Sequence, residues 1–248
     1  MLPARLIVDP PLPGDWNMAV DEALLESAAE GIACLRFYQW SEPTLSLGYF
    51  QQLADRALHV ASRDCPLVRR ASGGGAIVHD RELTYSFVTP IEERFATSST
   101  TLYDAFHKTL LEALATFAVV GRLFEADDGD AEKPRSSAFL CFERRTPGDV
   151  LCENQKICGS AQRRRRGALL QHGSVLLHTS RHAPELRGIA EITGGDLSAA
   201  ELAMTWAGLL AREMGLRLER SALSSAELAL AAQFARDQFQ SAVWTNRR

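Results

Sequence analysis

The chain has 248 residues, 46% of them hydrophobic and 23% charged, a composition that suits a soluble globular protein with a sizeable core. Twenty-seven lysines and arginines against 31 aspartates and glutamates leave a net charge of −4, which argues against a general nucleic-acid binder. No window approaches the roughly 18 unbroken apolar residues of a membrane span, and the opening MLPARLIVDPPLPGDW lacks the apolar core and small-residue cleavage pattern of a signal peptide. A cytoplasmic protein with no membrane or nucleic-acid partner is the expectation.

The apolar run Leu6-Ile7-Val8 predicts an edge strand before three prolines. Asp15 or Asn17 can cap a helix running to about Ala29, with Gly31 just past its end and Met18, Leu25 and Ala28 facing the core. Asp21 and Glu22 fall in its early turns, where carboxylates suit the helix dipole. Cys34 to Tyr38 and Thr44 to Gly48 read as strands around Trp40-Ser41-Glu42-Pro43, and Asp55 to Ser62 as a short helix. Leu67 to Arg69 is a short strand, and Ala76 to Val78 with Leu83 to Thr89 a hairpin. Thr101-x-x-Asp104 resembles a capping box, followed by Leu102, Phe106, Leu110, Leu114 and Phe117 at helical spacing. Residues 125–137 are polar with Gly and Pro and read as a surface loop. Gly167 to Leu177 alternates like a strand, and residues 179–196 hold a short helix and a turn at Gly194-Gly195. Ser198-x-x-Glu201 and Ser224-x-x-Glu227 open helices to about Met214 and Phe239. Helices interleaved with strand pairs, without regular strand–helix alternation, predict an α+β fold with a mixed, largely antiparallel sheet, in one domain spanning 1–248.

Two stretches carry chemistry. In RRASGGGAIVHDRELTYSF, from Arg69 to Phe87, the glycines Gly73-Gly74-Gly75 let backbone amides approach a ligand oxygen; on their own they are equally a tight turn. No Gly-Lys-Ser/Thr follows, so this is not a P-loop. The second stretch, Cys141 to Ser174, sets a thiol fifteen residues before an amine, Lys156. The five cysteines, Cys34, Cys65, Cys141, Cys152 and Cys158, are odd in number and form no C-x-x-C pair, so neither a zinc site nor a disulfide framework is expected. In isolation, Cys141 within Phe139-Leu140-Cys141-Phe142 reads as a small core residue.

The wider pattern is more specific. Arg-Arg-x-Ser-Gly-Gly-Gly-Ala-x-x-His-Asp followed by Glu-Leu-Thr-Tyr-Ser, then Lys156-Ile157-Cys158-Gly159-Ser160-Ala161-Gln162 and Gln171-His172-Gly173-Ser174, resembles the lipoate-protein ligase and octanoyltransferase superfamily. Asn17-Met18-Ala19-Val20-Asp21-Glu22 and Pro43-Thr44-Leu45-Ser46-Leu47-Gly48 fit in the same order. The resemblance implies a fold shared with biotin-protein ligases and an acyl tunnel between the glycine loop and the lysine strand. By position, Arg70, Gly73, Gly74, Gly75 and His79 match one wall, and Lys156, Gly159, Ser160 and Ala161 the other. The placement of Cys141 is similar to that of the nucleophile in LipM-type octanoyltransferases. Asn154-Gln155 before the lysine depart from the glycine-containing turn common in relatives.

What the resemblance implies is an octanoyl-[acyl-carrier-protein]:protein transferase. Cys141 would take octanoate as a thioester, Lys156 would favour the thiolate, and a lysine of a lipoyl domain, on glycine cleavage H protein or a dehydrogenase E2 subunit, would accept it. Glycine-loop amides and Lys156 are candidate oxyanion donors, and neutral Lys156 or His79 the candidate base. No cofactor is expected, and a monomer is; ATP and Mg would enter only if the chain were a lipoate ligase. The same resemblance leaves room for an amidotransferase between lipoyl domains and for a binding relative without turnover. His172 reads as a hydrogen-bonded pocket or core histidine, and His107, His178 and His182 carry no signal. Arg163-Arg164-Arg165-Arg166 is either a solvated turn or a patch steering acidic partners.

Overall fold

A computed structural model describes residues 1–31, 33–91, 100–126 and 138–247. The loop expected over 125–137 lies, from residue 127 onward, outside the described residues. Among the described residues the strands are β1 (Leu2–Val8), β2 (Ala33–Tyr38), β3 (Thr44–Leu47), β4 (Leu67–Arg69), β5 (Ile77–His79), β6 (Glu82–Pro90), β7 (Arg122–Leu123), β8 (Val150–Cys152), β9 (Gln155–Arg165), β10 (Ala168–Leu176) and β11 (Leu216–Arg220). Eight form one sheet in the order β11-β1-β2-β6-β10-β9-β8-β7, and β4-β3-β5 form a second. In the large sheet β11, β1 and β2 run parallel and the remaining pairings are antiparallel, so the α+β expectation stands.

Strands β2 and β6 are buried over nearly their whole length because helices cover both faces of the sheet. Alternation sorts their side chains. Leu35, Phe37, Tyr85 and Phe87 pack with Phe106, Leu110, Trp206 and Leu210 from α2 (Thr100–Thr116) and α4 (Ala199–Met214), the latter following the short α3 (Ile189–Thr193). Cys34, Tyr38 and Val88 face Met18, Leu24, Leu25 and Ala231 from α1 (Gly14–Ala29) and α5 (Ser225–Phe234). A third cluster, with Leu45, Leu47, Ala76, Val78, Phe139 and Leu140, lies against the small sheet. Ser198 and Ser224 cap α4 and α5 as their sequences predict, accepting from Glu201 N at 3.4 Å and Glu227 N at 3.2 Å. Among the described residues, no helix is long and apolar enough to cross a membrane.

Four expectations need correction. Strand β1 is interior, paired on both sides, because the short Leu-Arg-Leu-Glu-Arg segment after α4 forms β11 beside it. The pair β5/β6 is not a hairpin: β2 pairs with β6 and β3 with β5, so the chain changes sheet at Trp40–Pro43 and at Asp80-Arg81. Neither Asp15 nor Asn17 caps α1, which begins at Gly14 with Pro13 at the cap position. The Gly14 start is needed, since a Cβ there would sit 2.7 Å from Thr44 Cγ2. Asp55 to Ser62 forms two 3₁₀ turns, Leu53–Leu58 and Val60–Ser62, in place of one helix.

Candidate active site

The glycine loop leaves β4 and is held by its own neighbour. Arg70 is buried, and its Nη2 donates to the carbonyls of Gly73 at 2.8 Å and Gly75 at 2.6 Å, while Nη1 reaches Ser46 O at 3.2 Å and Oγ at 3.1 Å. Gly74 sits at φ +95°, and a Cβ on Gly48 would collide with the Gly74 carbonyl, so glycine is required at both. The loop then docks on the second stretch. Ala76 N donates to Phe139 O at 2.9 Å and Cys141 N to Ala76 O at 2.7 Å. A Cβ on Gly75 would stand 3.0 Å from Cys141 N, so Gly75 lets the loop lie directly on the cysteine backbone.

Between the loop and β9–β10 lies a cavity of about 300 Å³. Arg70, Gly73, Gly74, His79, Cys141, Gly159, Ser160 and Ala161 all line it, so the two stretches do share one cavity. Gly75 and Lys156 do not line it. Gly75 backs Cys141, and Lys156 Nζ pairs with Asp149 Oδ2 at 2.7 Å and donates to Arg144 O at 3.2 Å. The buried end of the cavity is made by Met18, Tyr38, His79, Thr84, His172 and Ser174; Gly74, Cys141 and Tyr103 stand nearer solvent.

Cys141 opens a 3₁₀ turn (Cys141–Glu143) and is half-buried, whereas the other four cysteines are buried. Burial pushes the Cys34 thiol up to about 12 and raises those of Cys65, Cys152 and Cys158. A buried thiol is held protonated and is inert as a nucleophile. Arg70 is a cation facing Cys141. The place a Gly74 Cβ would take is 3.0 Å from Arg70 Nη2 and 3.9 Å from Cys141 Sγ. Burial lowers Arg70 to about 10, which still leaves it charged at neutral pH, and its Coulombic partner is Cys141. The expectation gave that charge to Lys156, which is paired with Asp149.

Three histidines surround the cavity in different states. His79 is fully engaged, with Nδ1 2.7 Å from Glu82 Oε1, Nε2 2.8 Å from Ser46 Oγ, and its ring stacked on Trp40 at 3.9 Å. His172 Nε2 lies 2.5 Å from Ser72 Oγ, and burial lowers its pKa to about 4, so it is neutral near pH 7. His107 has Nδ1 2.5 Å from Gly148 O and Nε2 2.7 Å from Ser160 Oγ. Sequence reasoning misses His107, although it lies three and seven residues before Leu110 and Leu114 on the apolar face of α2, where a polar residue needs a partner.

The Asn17-to-Glu22 motif works beneath the floor. Arg36 Nη1 donates to Asp21 Oδ1 at 2.8 Å, Nη2 to Asn17 Oδ1 at 2.9 Å and Nε to Asp9 Oδ2 at 2.7 Å. Tyr38 and Ser86 donate to the same Asp21 carboxylate at 2.9 and 2.7 Å. The arginine run is also tied to α1. Arg163 and Arg165 pair with the buried Glu22, and Arg166 pairs with Glu26 at 3.1 Å. That leaves little of the run as an unpaired basic patch. Among the described residues, no group of three or more His, Cys, Asp or Glu could hold a metal ion.

Residues 13–192 match the lipoyl protein ligase A/B catalytic domain. The octanoyltransferase LipM of Anoxybacillus flavithermus is 32% identical across 94% of this chain and 94% of its own. That of Brevibacillus brevis is 32% identical across 98% and 99%. In three dimensions, the bi-partite lipoate protein ligase of Thermoplasma acidophilum superposes with a TM-score of 0.77 at 20% identity, covering 99% of this chain and 97% of that one. Lipoate-protein ligase A bound with ATP gives 0.78 at 21%, covering 98% of each chain. At such identities the structural likeness speaks for the fold alone.

Proposed function

The chain belongs to the lipoyl protein ligase A/B catalytic-domain family, and we propose that it is an octanoyltransferase of lipoate assembly that carries its acyl group on Cys141. The observation that carries this reading is the environment of that thiol. Cys141 is the half-exposed cysteine of the five, it lines the cavity, and a buried guanidinium faces it.

Octanoyl acyl carrier protein is the donor. Its carbonyl carbon is attacked by the Cys141 thiolate, the bond to the carrier's sulfur breaks, and the carrier leaves as its thiol. The amine of a lipoyl-domain lysine, on a glycine cleavage H protein or a dehydrogenase E2 subunit, then attacks the acyl-enzyme. An amide forms and Cys141 is released. The E2 lipoyl domain studied with the Thermoplasma ligase supports that acceptor class. The oxyanion of each step is met by amides of the glycine loop. Cys141 N is committed to Ala76 O, and Lys156 is held by Asp149 outside the cavity lining. The charge facing Cys141 is that of Arg70, and Lys156 holds the segment before β8 through Arg144 O and Asp149. The donor is already an activated thioester, so ATP has no part, and the chain works as a monomer.

Incubation with octanoyl acyl carrier protein and a lipoyl domain, without ATP, tests this. The acceptor should gain an octanoyl group, and Cys141→Ala should abolish the gain. Transfer only from free octanoate with ATP would move the chain to the ligases.

A further inference from the structure

One directional hydrogen-bonded chain runs from the cavity wall into the core. Gln162 Nε2 donates to Gln171 Oε1 at 2.9 Å, and Gln171 Nε2 donates to Tyr85 OH at 2.9 Å. Tyr85 OH lies 2.6 Å from Ser160 Oγ, which lies 2.7 Å from His107 Nε2. At the far end His107 Nδ1 faces the carbonyl of Gly148 at 2.5 Å, so Nδ1 carries the proton. Burial lowers the pKa of this imidazole, so at neutral pH it is uncharged and Nε2 is an acceptor. Ser160 must therefore donate to His107, and Tyr85 to Ser160. A hydroxyl oxygen accepts twice. With one place taken by Tyr85, the remaining lone pair of Ser160 is left for the cavity that Ser160 lines. It can receive a proton donor, such as an amine, and cannot stabilise an oxyanion.

The other bases near the cavity are spent. Lys156 Nζ is paired with Asp149, and His79 bonds Glu82 and Ser46, neither of which lines the cavity. His172 bonds Ser72 through Nε2 and turns Nδ1 toward Asp21. We propose that Ser160 takes the proton of the acceptor amine when the acyl-enzyme is resolved, with His107 behind it as the positioning residue that receives the serine's own proton. This rests on the octanoyl-transfer reading and assigns the proton acceptor that the reading lacks. The amine nitrogen bonds to the carbonyl carbon of the Cys141 thioester. Its proton passes to Ser160 Oγ as the Ser160 proton passes to His107 Nε2. The carbon–sulfur bond then breaks, and Cys141 leaves with the electron pair. The imidazolium proton returns through Ser160 to the thiolate, giving amide and free thiol. Asp149 favours the transient imidazolium and so does Asp104, one turn back on α2; Lys156 opposes it; Tyr103 and Tyr85 flank it as neutral groups.

The test separates the two half-reactions in the full chain. Loading of octanoate from octanoyl acyl carrier protein is followed by intact mass, and single-turnover transfer from the loaded enzyme to a lipoyl domain is followed separately. Ser160→Ala and His107→Gln should slow transfer about 10²-fold more than they slow loading. Ser160→Thr, which keeps the hydroxyl, should restore it. The acid limb of the transfer rate against pH should vanish in His107→Gln. If His107→Gln does not fold, Ser160→Ala carries the comparison, because that side chain is only half-buried. Equal slowing of loading and transfer, or transfer at the unmodified rate, overturns the assignment. An unmodified chain that never loads would sink the acyl-enzyme reading first, and the relay with it.

Discussion

At Cys141 the deciding factor is access to water and charge. Five thiols share the chain, and burial keeps four of them protonated, while Cys141 shares the cavity with Arg70. Spacing from Lys156 singles out the thiol in the sequence, but spacing cannot show which cation faces it. Arg70 and Lys156 are both basic residues within motifs, and only the folded loop puts one guanidinium beside Cys141. The residue scale also yields a pH dependence. Burial holds the His172 pKa down to about 4, against about 6.5 in an unfolded chain. A histidine depressed in the folded state must be charged on unfolding at low pH. Its contribution is therefore fully present above about pH 6.5 and is lost as pH falls toward 4. The loss is on the order of 3 kcal/mol. Urea denaturation from pH 7 to 4 should show that decline, and His172→Asn should flatten it; an unchanged slope would place His172 outside the buried wall.

Among the elements, α1 shows how far periodicity carries. Its length and its Met18, Leu25 and Ala28 core positions are readable from apolar spacing. The roles of Asn17 and Asp21 are not, because both lie on a buried face and bind Arg36, Tyr38 and Ser86 across a sheet that the linear sequence does not display. Similarly, each strand of the β2/β3 and β5/β6 pairs has the right composition, and the short turns between them mimic hairpins. Pairing partners depend on which faces the helices cover, and alternation within one strand does not encode that. Removing Asp21 leaves Asp9 as the ionic partner of the buried Arg36. Asp21→Ala should cost about 3 kcal/mol, read as a lower urea midpoint with an unchanged slope. A loss under about 1 kcal/mol would mean that water replaces the carboxylate and that α1 is not locked to the sheet through it.

Over the molecule as a whole, the fold class and the meeting of the two motif stretches are legible in the sequence, since several motifs occur in one order. The strand β11 and the pairing of the arginine run are not. A five-residue strand leaves almost no periodic signal, and a charge run does not reveal that an acidic helix face lies opposite. With Glu22 buried between Arg163 and Arg165, the run belongs first to the joint between α1 and the β9–β10 hairpin. Arg165→Glu should lower the melting temperature by several degrees at neutral pH, with no specific loss of donor binding once the protein is folded. A stable variant with weakened, salt-dependent carrier binding would return the run to the role of a docking patch.

The most direct test is intact-protein mass spectrometry of the chain mixed with octanoyl acyl carrier protein, without ATP. Acyl transfer through Cys141 predicts a gain of one octanoyl group that disappears in Cys141→Ala and persists in Cys158→Ala, whose thiol is buried and held protonated. A gain that survives Cys141→Ala, or no gain while an octanoylated acceptor still accumulates, would contradict that route.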